Sequence, residues 1–246
     1  MNITKLMHTA AETMRPEAPH TAAIIVAAGS AARMGGIDKV MADLAGMPLI
    51  AHSLLAFQQS ELIHEIVVVT RPDLVDSVRH ICRLREISKL TGVVPGGASR
   101  TESVCRGLAQ VSQQAKLVAI HDAARPLIDQ QTIARALRKA AKTGAAAPAL
   151  PVKDTIKVVK RDAVVTTPER SKLMAVQTPQ CFDKELLQGA FQKAQADQIT
   201  LTDDCSAMEH LGLPVYLTQG AERNFKVTTP LDLELARLLA DGAGEG

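Results

Sequence analysis

Between residues 22 and 152 the chain alternates short apolar runs with longer amphipathic segments, and this alternation constrains the fold more than any other feature. The apolar runs have the length of buried strands, and the segments between them have helical spacing. Such alternation predicts βαβ units with right-handed crossovers around a mostly parallel sheet. We therefore expect a doubly wound α/β domain that binds ligands at the carboxyl ends of its strands.

The periodicity also predicts the individual elements and the domain limits. Residues 154–176 lack a helical period and alternate polar with β-branched residues, which predicts a protruding β-arm. Residues 1–20 are predicted to be a flexible N-terminal extension, and 21–241 the folded domain. The predicted strands are 22–28, 65–70, 93–94, 116–121, 146–152, 215–218 and 225–228, and the predicted helices are 48–59, 72–84, 100–111, 130–142, 183–194, 202–211 and 230–240.

Composition and charge exclude several classes of protein. The 28 basic and 26 acidic residues nearly cancel, which argues against a partner that is a nucleic acid or a membrane. With no Trp and one Tyr, the chain offers little on which single-stranded bases could stack. The sequence has neither a signal peptide nor a transmembrane stretch, and its four cysteines form no CxxC pair. We therefore expect a reduced, cytoplasmic protein.

A loop of small residues, AAGSAARMGGIDK, follows the first predicted strand from Ala27 to Lys39. Small residues allow backbone N–H groups to approach an anion closely, and Arg33 and Lys39 add positive charge for a polyphosphate. The loop matches neither GxGxxG nor a P-loop, because Ala31 and Ala32 occupy glycine positions and no GK[ST] follows. By itself it is equally consistent with a tight connection between a strand and a helix.

Two further motifs follow predicted strands. In VPGGASRTESVCRGL (94–108), the Gly97 backbone could reach a ligand and the Ser103 hydroxyl could contact a base or ribose. In IHDAARP (120–126), Asp122 could hold a divalent cation or ribose hydroxyls, although a lone Asp often caps a helix or turn.

Three polar residues near these motifs favour structural interpretations. His121 ends a predicted strand, where a hydrogen-bonded structural imidazole is the commoner finding. Asp203 and Asp204 have the appearance of a metal-binding pair. They also stand where a helix is predicted to begin, and acidic residues at that end interact favourably with the helix dipole.

Seven motifs together carry a resemblance that no single one carries. They are AAG-x₃-RM-x₄-K, GG-x₂-R-x₂-SV-x₂-GL, HDAARP, PVKDTIK, QTPQCF, TDDCSAMEHLG and NFKVTTPLDLELA, in that order. Over residues 22–240 the chain resembles the 2-C-methyl-D-erythritol 4-phosphate cytidylyltransferase family of the non-mevalonate isoprenoid pathway. The resemblance implies a Rossmann-like nucleotidyltransferase fold, a homodimer, Mg²⁺, and transfer of CMP from CTP to a sugar-alcohol phosphate with release of pyrophosphate.

The resemblance also implies roles for individual residues. Arg33, Lys39 and Lys226 are the implied catalytic cations, and Asp122 is the implied metal ligand. The arm residues Thr155 and Arg170 are implied to reach the partner subunit's substrate. The implied nucleotide-binding residues are Ala27, Ala28, Gly29, Gly97, Ser103, Asp122 and Ala123, and the implied substrate-binding residues on the main domain are Asp122, Thr178, Thr202 and Lys226.

Three alternatives stay open. A ribitol-5-phosphate cytidylyltransferase would share the chemistry and the CTP site. A dinucleotide-dependent oxidoreductase would need GxGxxG and an acidic residue at the end of the second strand, where Thr70 and Arg71 stand. A non-catalytic nucleotide-binding regulator would have no need for the cations. Ala31, Asp38 and Met174 depart from the family pattern.

Overall fold

The computed structural model describes residues 19–29 and 39–241. An eight-stranded, mostly parallel sheet carries helices on both faces, which confirms the predicted α/β architecture. The strands are β1 (Thr21–Ala27), β2 (Asp43–Leu44), β3 (Met47–Pro48), β4 (Glu65–Thr70), β5 (Leu90–Pro95), β6 (Leu117–Asp122), β7 (Ala145–Pro151), β8 (Val158–Lys160), β9 (Ala163–Thr166), β10 (Met174–Val176), β11 (Gln180–Asp183) and β12 (Tyr216–Gln219). The helices are α1 (Leu49–Gln59), α2 (Val75–Leu84), α3 (Arg100–Leu108), α4 (Gln130–Thr143), α5 (Lys184–Ala196), α6 (Asp204–His210) and α7 (Pro230–Asp241).

The central strands of the sheet are parallel and share one carboxyl edge. β1 lies between β4 and β6, and β5 pairs with β4, all in parallel. β11 is antiparallel to its neighbours β6 and β7, while β10 and β12 both pair with β7. Because β1, β4, β5 and β6 point the same way, the loops that follow them meet along one edge of the sheet.

Hydrophobic cores lie on both faces of this sheet. Successive residues of β1 alternate between them, so that Ile25 packs with α1, α2 and α4 while Ile24 packs with α3, α5 and α6. Gly107 lets α3 approach closely, because a Cβ there would lie 2.7 Å from Ile24 Cγ2 and 2.9 Å from Val69 Cγ2. This close packing holds α3 against β1 and β4. Within 19–29 and 39–241, the helices are too short or too polar to cross a membrane.

Two predicted segments differ from the structure. Residues 225–228 form no strand; they cross the carboxyl edge as a loop, in which Val227 N donates to Ala124 O (2.8 Å). In the predicted arm, β8 and β9 form a separate two-stranded sheet, but Met174–Val176 pairs with β7 in the main sheet. The arm therefore ends before residue 174.

The predicted N-terminal extension falls largely on residues 1–18, which lie outside the described residues. His20, which that prediction included, is bound to the domain because its carbonyl oxygen accepts from Lys116 N at 2.8 Å. The folded domain thus begins before residue 21.

Candidate active site

A cleft of about 310 Å³ opens at the carboxyl edge of the sheet, between the ends of β1, β5 and β6. Short segments of loop form its walls, so the side chains that face it come from distant parts of the sequence. Eight of the residues predicted for the site line this cleft: Ala27, Ala28, Gly29, Lys39, Gly97, Ser103, Asp122 and Lys226.

Asp122, the last residue of β6, lies between two cations. Its Oδ2 accepts from Lys226 Nζ at 2.7 Å, and its Oδ1 lies 3.4 Å from Arg100 Nε. Burial by itself raises the pKa of the Asp122 carboxyl, but the charges of Arg100 and Lys226 outweigh burial and hold the pKa well below its usual range. Asp122 is therefore ionised at every pH at which the protein is expected to work.

Arg100, the first residue of α3, is held by a second carboxylate. Its two terminal nitrogens donate to the two oxygens of Asp204, both at 2.8 Å, and the Asp204 side chain is buried. Burial disfavours the charge on Arg100, yet Asp204 and Asp122 together raise the pKa of the guanidinium above its ordinary value. The pair fixes the guanidinium with its Nε towards Asp122.

The acidic pair Asp203 and Asp204 begins α6, as the structural interpretation predicted. Asp203 caps the helix by accepting from Ser206 N (2.9 Å), and Gln180 Oε1 accepts from Asp204 N (3.0 Å). In the described part of the chain, no group of three or more His, Cys, Asp or Glu side chains is arranged to hold a metal ion. Both oxygens of Asp204 accept from Arg100, so Asp204 is the ion-pair partner of that residue.

The loop between β5 and α3 approaches the end of β1 because Gly96 lacks a side chain. A Cβ at Gly96 would collide with Ala28 Cβ and lie 2.9 Å from Ser103 Oγ. The Ser103 hydroxyl, predicted to contact a base or ribose, accepts from Gly97 N (3.0 Å) and donates to Ser99 O (2.9 Å). In this structure Ser103 thus shapes the loop that forms one wall of the cleft.

Thr178 and Ala123 lie behind the cleft wall and do not line it. The buried Thr178 hydroxyl accepts from Asp122 N at 3.1 Å and lies 3.0 Å from His121 Nδ1. Ala123 is fully buried, and its carbonyl oxygen accepts from Ser53 Oγ at 3.0 Å. Thr178 thus supports Asp122 in this structure, whereas the resemblance implies that Thr178 and Ala123 contact the ligands.

Three of the remaining predicted residues, Thr155, Arg170 and Thr202, do not line this cleft. Arg33 lies outside the described residues. Thr202 is exposed before α6, and Thr155 is exposed on the arm. Arg170 is also on the arm, where one of its terminal nitrogens donates to Lys153 O at 2.9 Å. Among the described residues, Thr155 and Arg170 therefore do not contribute to the cleft of their own chain.

Two arginines without a predicted role, Arg100 and Arg125, shape the electrostatics of the site. Arg100 is part of GG-x₂-R, and Arg125 is part of HDAARP, so both motifs contained the signal. Arg125 donates to Asn224 O at 2.7 Å, and although burial lowers its pKa, its charge helps to keep Asp122 ionised. The excess of positive charge around Asp122 suits a polyphosphate ligand.

Comparison with known proteins extends the similarity to nearly the whole chain. The family model described as 2-C-methyl-D-erythritol 4-phosphate cytidylyltransferase matches residues 21–241. A protein of that name from Halalkalibacterium halodurans is 44% identical over 217 residues, which cover 88% of this chain and 95% of the relative. Another from Desulforamulus reducens is 42% identical over 218 residues, covering 87% of this chain and 93% of the relative.

Solved structures agree with these relatives. The crystal structure of 4-diphosphocytidyl-2C-methyl-D-erythritol synthase from Anaerococcus prevotii has a TM-score of 0.81 at 29% identity, covering 92% of this chain and 97% of its own. The 2-C-methyl-D-erythritol 4-phosphate cytidylyltransferase of Thermus thermophilus has a TM-score of 0.75 at 33% identity, covering 90% and 99%. These similarities do not favour the ribitol-5-phosphate or oxidoreductase alternatives.

Proposed function

The chain belongs to the 2-C-methyl-D-erythritol 4-phosphate cytidylyltransferase family, and we propose that its cleft performs cytidylyl transfer by neutralising charge between two phosphorylated reactants. The enzyme transfers CMP from CTP to 2-C-methyl-D-erythritol 4-phosphate in isoprenoid biosynthesis. A phosphate oxygen of the acceptor attacks the α-phosphorus of CTP. The bond between the α-phosphorus and the oxygen that bridges it to the β-phosphorus breaks. The products are 4-diphosphocytidyl-2-C-methyl-D-erythritol and pyrophosphate.

The observation that carries this proposal is the cluster of charges at the end of β6. Lys226, Arg100 and Asp122 are in contact, and Lys39 lines the same cleft. Both reactants are anions, so their mutual repulsion is the main obstacle to their meeting. Preorganised cations and positioning can supply most of the catalysis in phosphoryl transfer, and no covalent enzyme intermediate is required.

The geometry supports separate roles for the walls of the cleft and for its lysines. We assign the nucleotide to the walls formed by residues 27–29 and 97–99, whose small side chains expose the backbone. Lys39 and Lys226 would neutralise the triphosphate and the developing charge on the α-phosphoryl group. The resemblance implies that Arg33 is also a catalytic cation, and we retain that role for it. Lys226 would also face the acceptor phosphate, because it lies beside Asp122.

The donor chemistry of the cleft fits Mg²⁺. This ion usually takes one or two carboxylates, substrate phosphates and water, and Asp122 supplies a carboxylate here. Asp122 would hold Mg²⁺ together with oxygens of the triphosphate, and the ion would then act as a Lewis acid towards the phosphoryl group. Because Lys226 Nζ lies 2.7 Å from Asp122 Oδ2, Lys226 would have to share that oxygen or turn to a phosphate.

The arm supports a homodimer. Apolar side chains are exposed on both of its strands, among them Val159 and Val165, each 61% accessible. Such a surface is costly in water and is typical of a protein interface. We infer that the arm packs on a second copy, where Thr155 and Arg170 would reach the partner subunit's substrate.

We also assign the enzyme to the cytoplasm. Cys82, Cys181 and Cys205 are buried free thiols, and Cys105 is also unpaired. Free thiols of this kind are expected in a reducing compartment.

The test is a pyrophosphate-release assay that compares CTP with ATP, GTP and UTP. Each nucleotide is offered with 2-C-methyl-D-erythritol 4-phosphate and, separately, with ribitol 5-phosphate. We expect turnover only with CTP and the methylerythritol acceptor, and none without an acceptor. Preferential use of ribitol 5-phosphate, or no release with either acceptor, would overturn the proposal.

A further inference from the structure

His121 is a buried imidazole directly before Asp122, and the mechanism above does not use it. Its Nε2 lies 3.1 Å from Arg125 O, and its Nδ1 lies 3.0 Å from Thr178 Oγ1. The ring is fully buried and packs against Phe57 with a centroid distance of 4.9 Å. Both ring nitrogens therefore have partners inside the protein.

Those partners determine which nitrogen carries the proton. Arg125 O is a carbonyl and can only accept, so Nε2 must donate to it. The Thr178 hydroxyl already accepts from Asp122 N at 3.1 Å, so its own hydrogen is available for His121 Nδ1. The result is a directed chain, in which the Asp122 amide donates to Thr178 and Thr178 donates to His121. It requires a neutral imidazole protonated at Nε2.

The groups around the ring favour that neutral form. The ring is fully buried, and the Arg125 carbonyl and the Thr178 hydroxyl satisfy both of its nitrogens when only Nε2 carries a proton. With a proton on Nδ1, the Thr178 hydroxyl would accept from the ring instead of donating to it, while the Asp122 amide would still donate to Thr178.

The same network extends to the loop that carries Lys226. Asn224 Nδ2 donates to Thr178 O at 2.8 Å, and Arg125 donates to Asn224 O at 2.7 Å. Asn224 is fully buried and stands two residues before Lys226. The network therefore holds the backbone on both sides of the contact between Asp122 and Lys226.

We propose that His121 is a positioning residue of the reaction, which acts through Thr178 to hold the Asp122 carboxylate towards Lys226 and Arg100. The inference rests on the proposed function, because it concerns the carboxylate that the cytidylyl transfer uses. His121 touches neither reactant. Its contribution is to prevent rotation of the Asp122 peptide, on which the position of the carboxylate depends.

Variants of Thr178 test the network without emptying the core. Thr178→Val keeps the shape and removes the hydroxyl, while Thr178→Ser keeps the hydroxyl. We expect Thr178→Val to lower kcat by about 10- to 100-fold, as is usual for groups that orient a reactive residue. KM for CTP should stay near the wild-type value, and Thr178→Ser should recover most of kcat. His121→Phe, which removes both hydrogen bonds, should resemble Thr178→Val if it folds.

A spectroscopic measurement tests the tautomer independently of activity. In ¹⁵N NMR of the full chain near neutral pH, His121 should show a protonated Nε2 and an unprotonated Nδ1. An Nδ1–H tautomer, or wild-type kcat in Thr178→Val, would overturn the proposal. Failure of the proposed function is distinguishable, because the wild-type protein would then lack turnover with CTP while its His121 spectrum kept the expected form.

Discussion

Asp204→Asn should destabilise the protein by about 3 kcal/mol, because it removes the buried carboxylate that makes both short hydrogen bonds to Arg100. Two charge-assisted hydrogen bonds, both 2.8 Å long, join the pair, and each such bond contributes about 1.5–3 kcal/mol. Breaking a fully buried pair costs about 3–5 kcal/mol. The Arg100 side chain is 28% exposed and the Asp204 side chain 1%, so returning water can relieve part of the cost and the lower limit applies.

Urea unfolding followed by far-UV circular dichroism measures this loss, since the chain has no Trp for fluorescence. The midpoint should fall without a change in slope, and the melting temperature should fall by about 6–12 °C. Glu222→Gln is the matched control, because it breaks the solvent-exposed pair with Lys153 and should change neither value measurably. If Asp204→Asn shifts the midpoint no more than Glu222→Gln does, the ion pair does not stabilise the site.

Four further outcomes are expected. Lys226→Met should lower turnover on the order of 10²–10³ with an unchanged circular dichroism spectrum, and wild-type pyrophosphate release would remove this lysine from the mechanism. Gly96→Ala should raise KM for CTP because its Cβ has no room, whereas Gly92→Ala, whose nearest neighbour would be 4.0 Å away, should leave KM unchanged; equal KM values would contradict the packing argument. Burial lowers the pKa of His121 to about 4, below the unfolded value of about 6.5, so the unfolded chain binds the extra proton and stability should be lost as pH falls through this window. His121→Phe should flatten that pH dependence of the urea midpoint, and an unchanged slope would show that another group is responsible. If the proposed homodimer forms through the arm, Val159→Asp should shift the protein from dimer to monomer in sedimentation, and a dimer that persists would exclude this part of the arm from the interface.

The central strands could be predicted because parallel strands buried on both faces are continuous apolar runs. Residues 65–70 were predicted with the observed limits. β11 could not be predicted, because a strand of four residues, of which only Cys181 and Phe182 are apolar, is too short to show a periodic pattern. Residues 225–228 have the alternating pattern of a strand, but they form a loop beside the cleft. In this loop Val227 packs with α7, and Lys226 donates to Asp122.

The cleft residues could be predicted as a group because each motif follows a strand, and parallel strands bring their carboxyl ends together. Which side chains face the ligand could not be predicted in the same way. Thr178 and Asp122 are 56 residues apart, and the burial of Thr178 depends on β11 lying beside β6. The pairing of Arg100 with Asp204, 104 residues away, likewise depends on packing between helices on one face of the sheet.

The carboxylates explain how a site for anions keeps its cations in place before a ligand arrives. Left alone, Lys226 and Arg100 would repel one another and turn to solvent, and a ligand would have to reorganise them. Asp204 balances Arg100 and removes it from competition for phosphate, whereas Asp122 holds Lys226 through one oxygen. Lys226, with 38% of its side chain exposed, can then form an ion pair with a phosphate after little movement. Electrostatic catalysis depends on this kind of preorganisation, so under the proposed function the two carboxylates position the cations on which the transfer would depend.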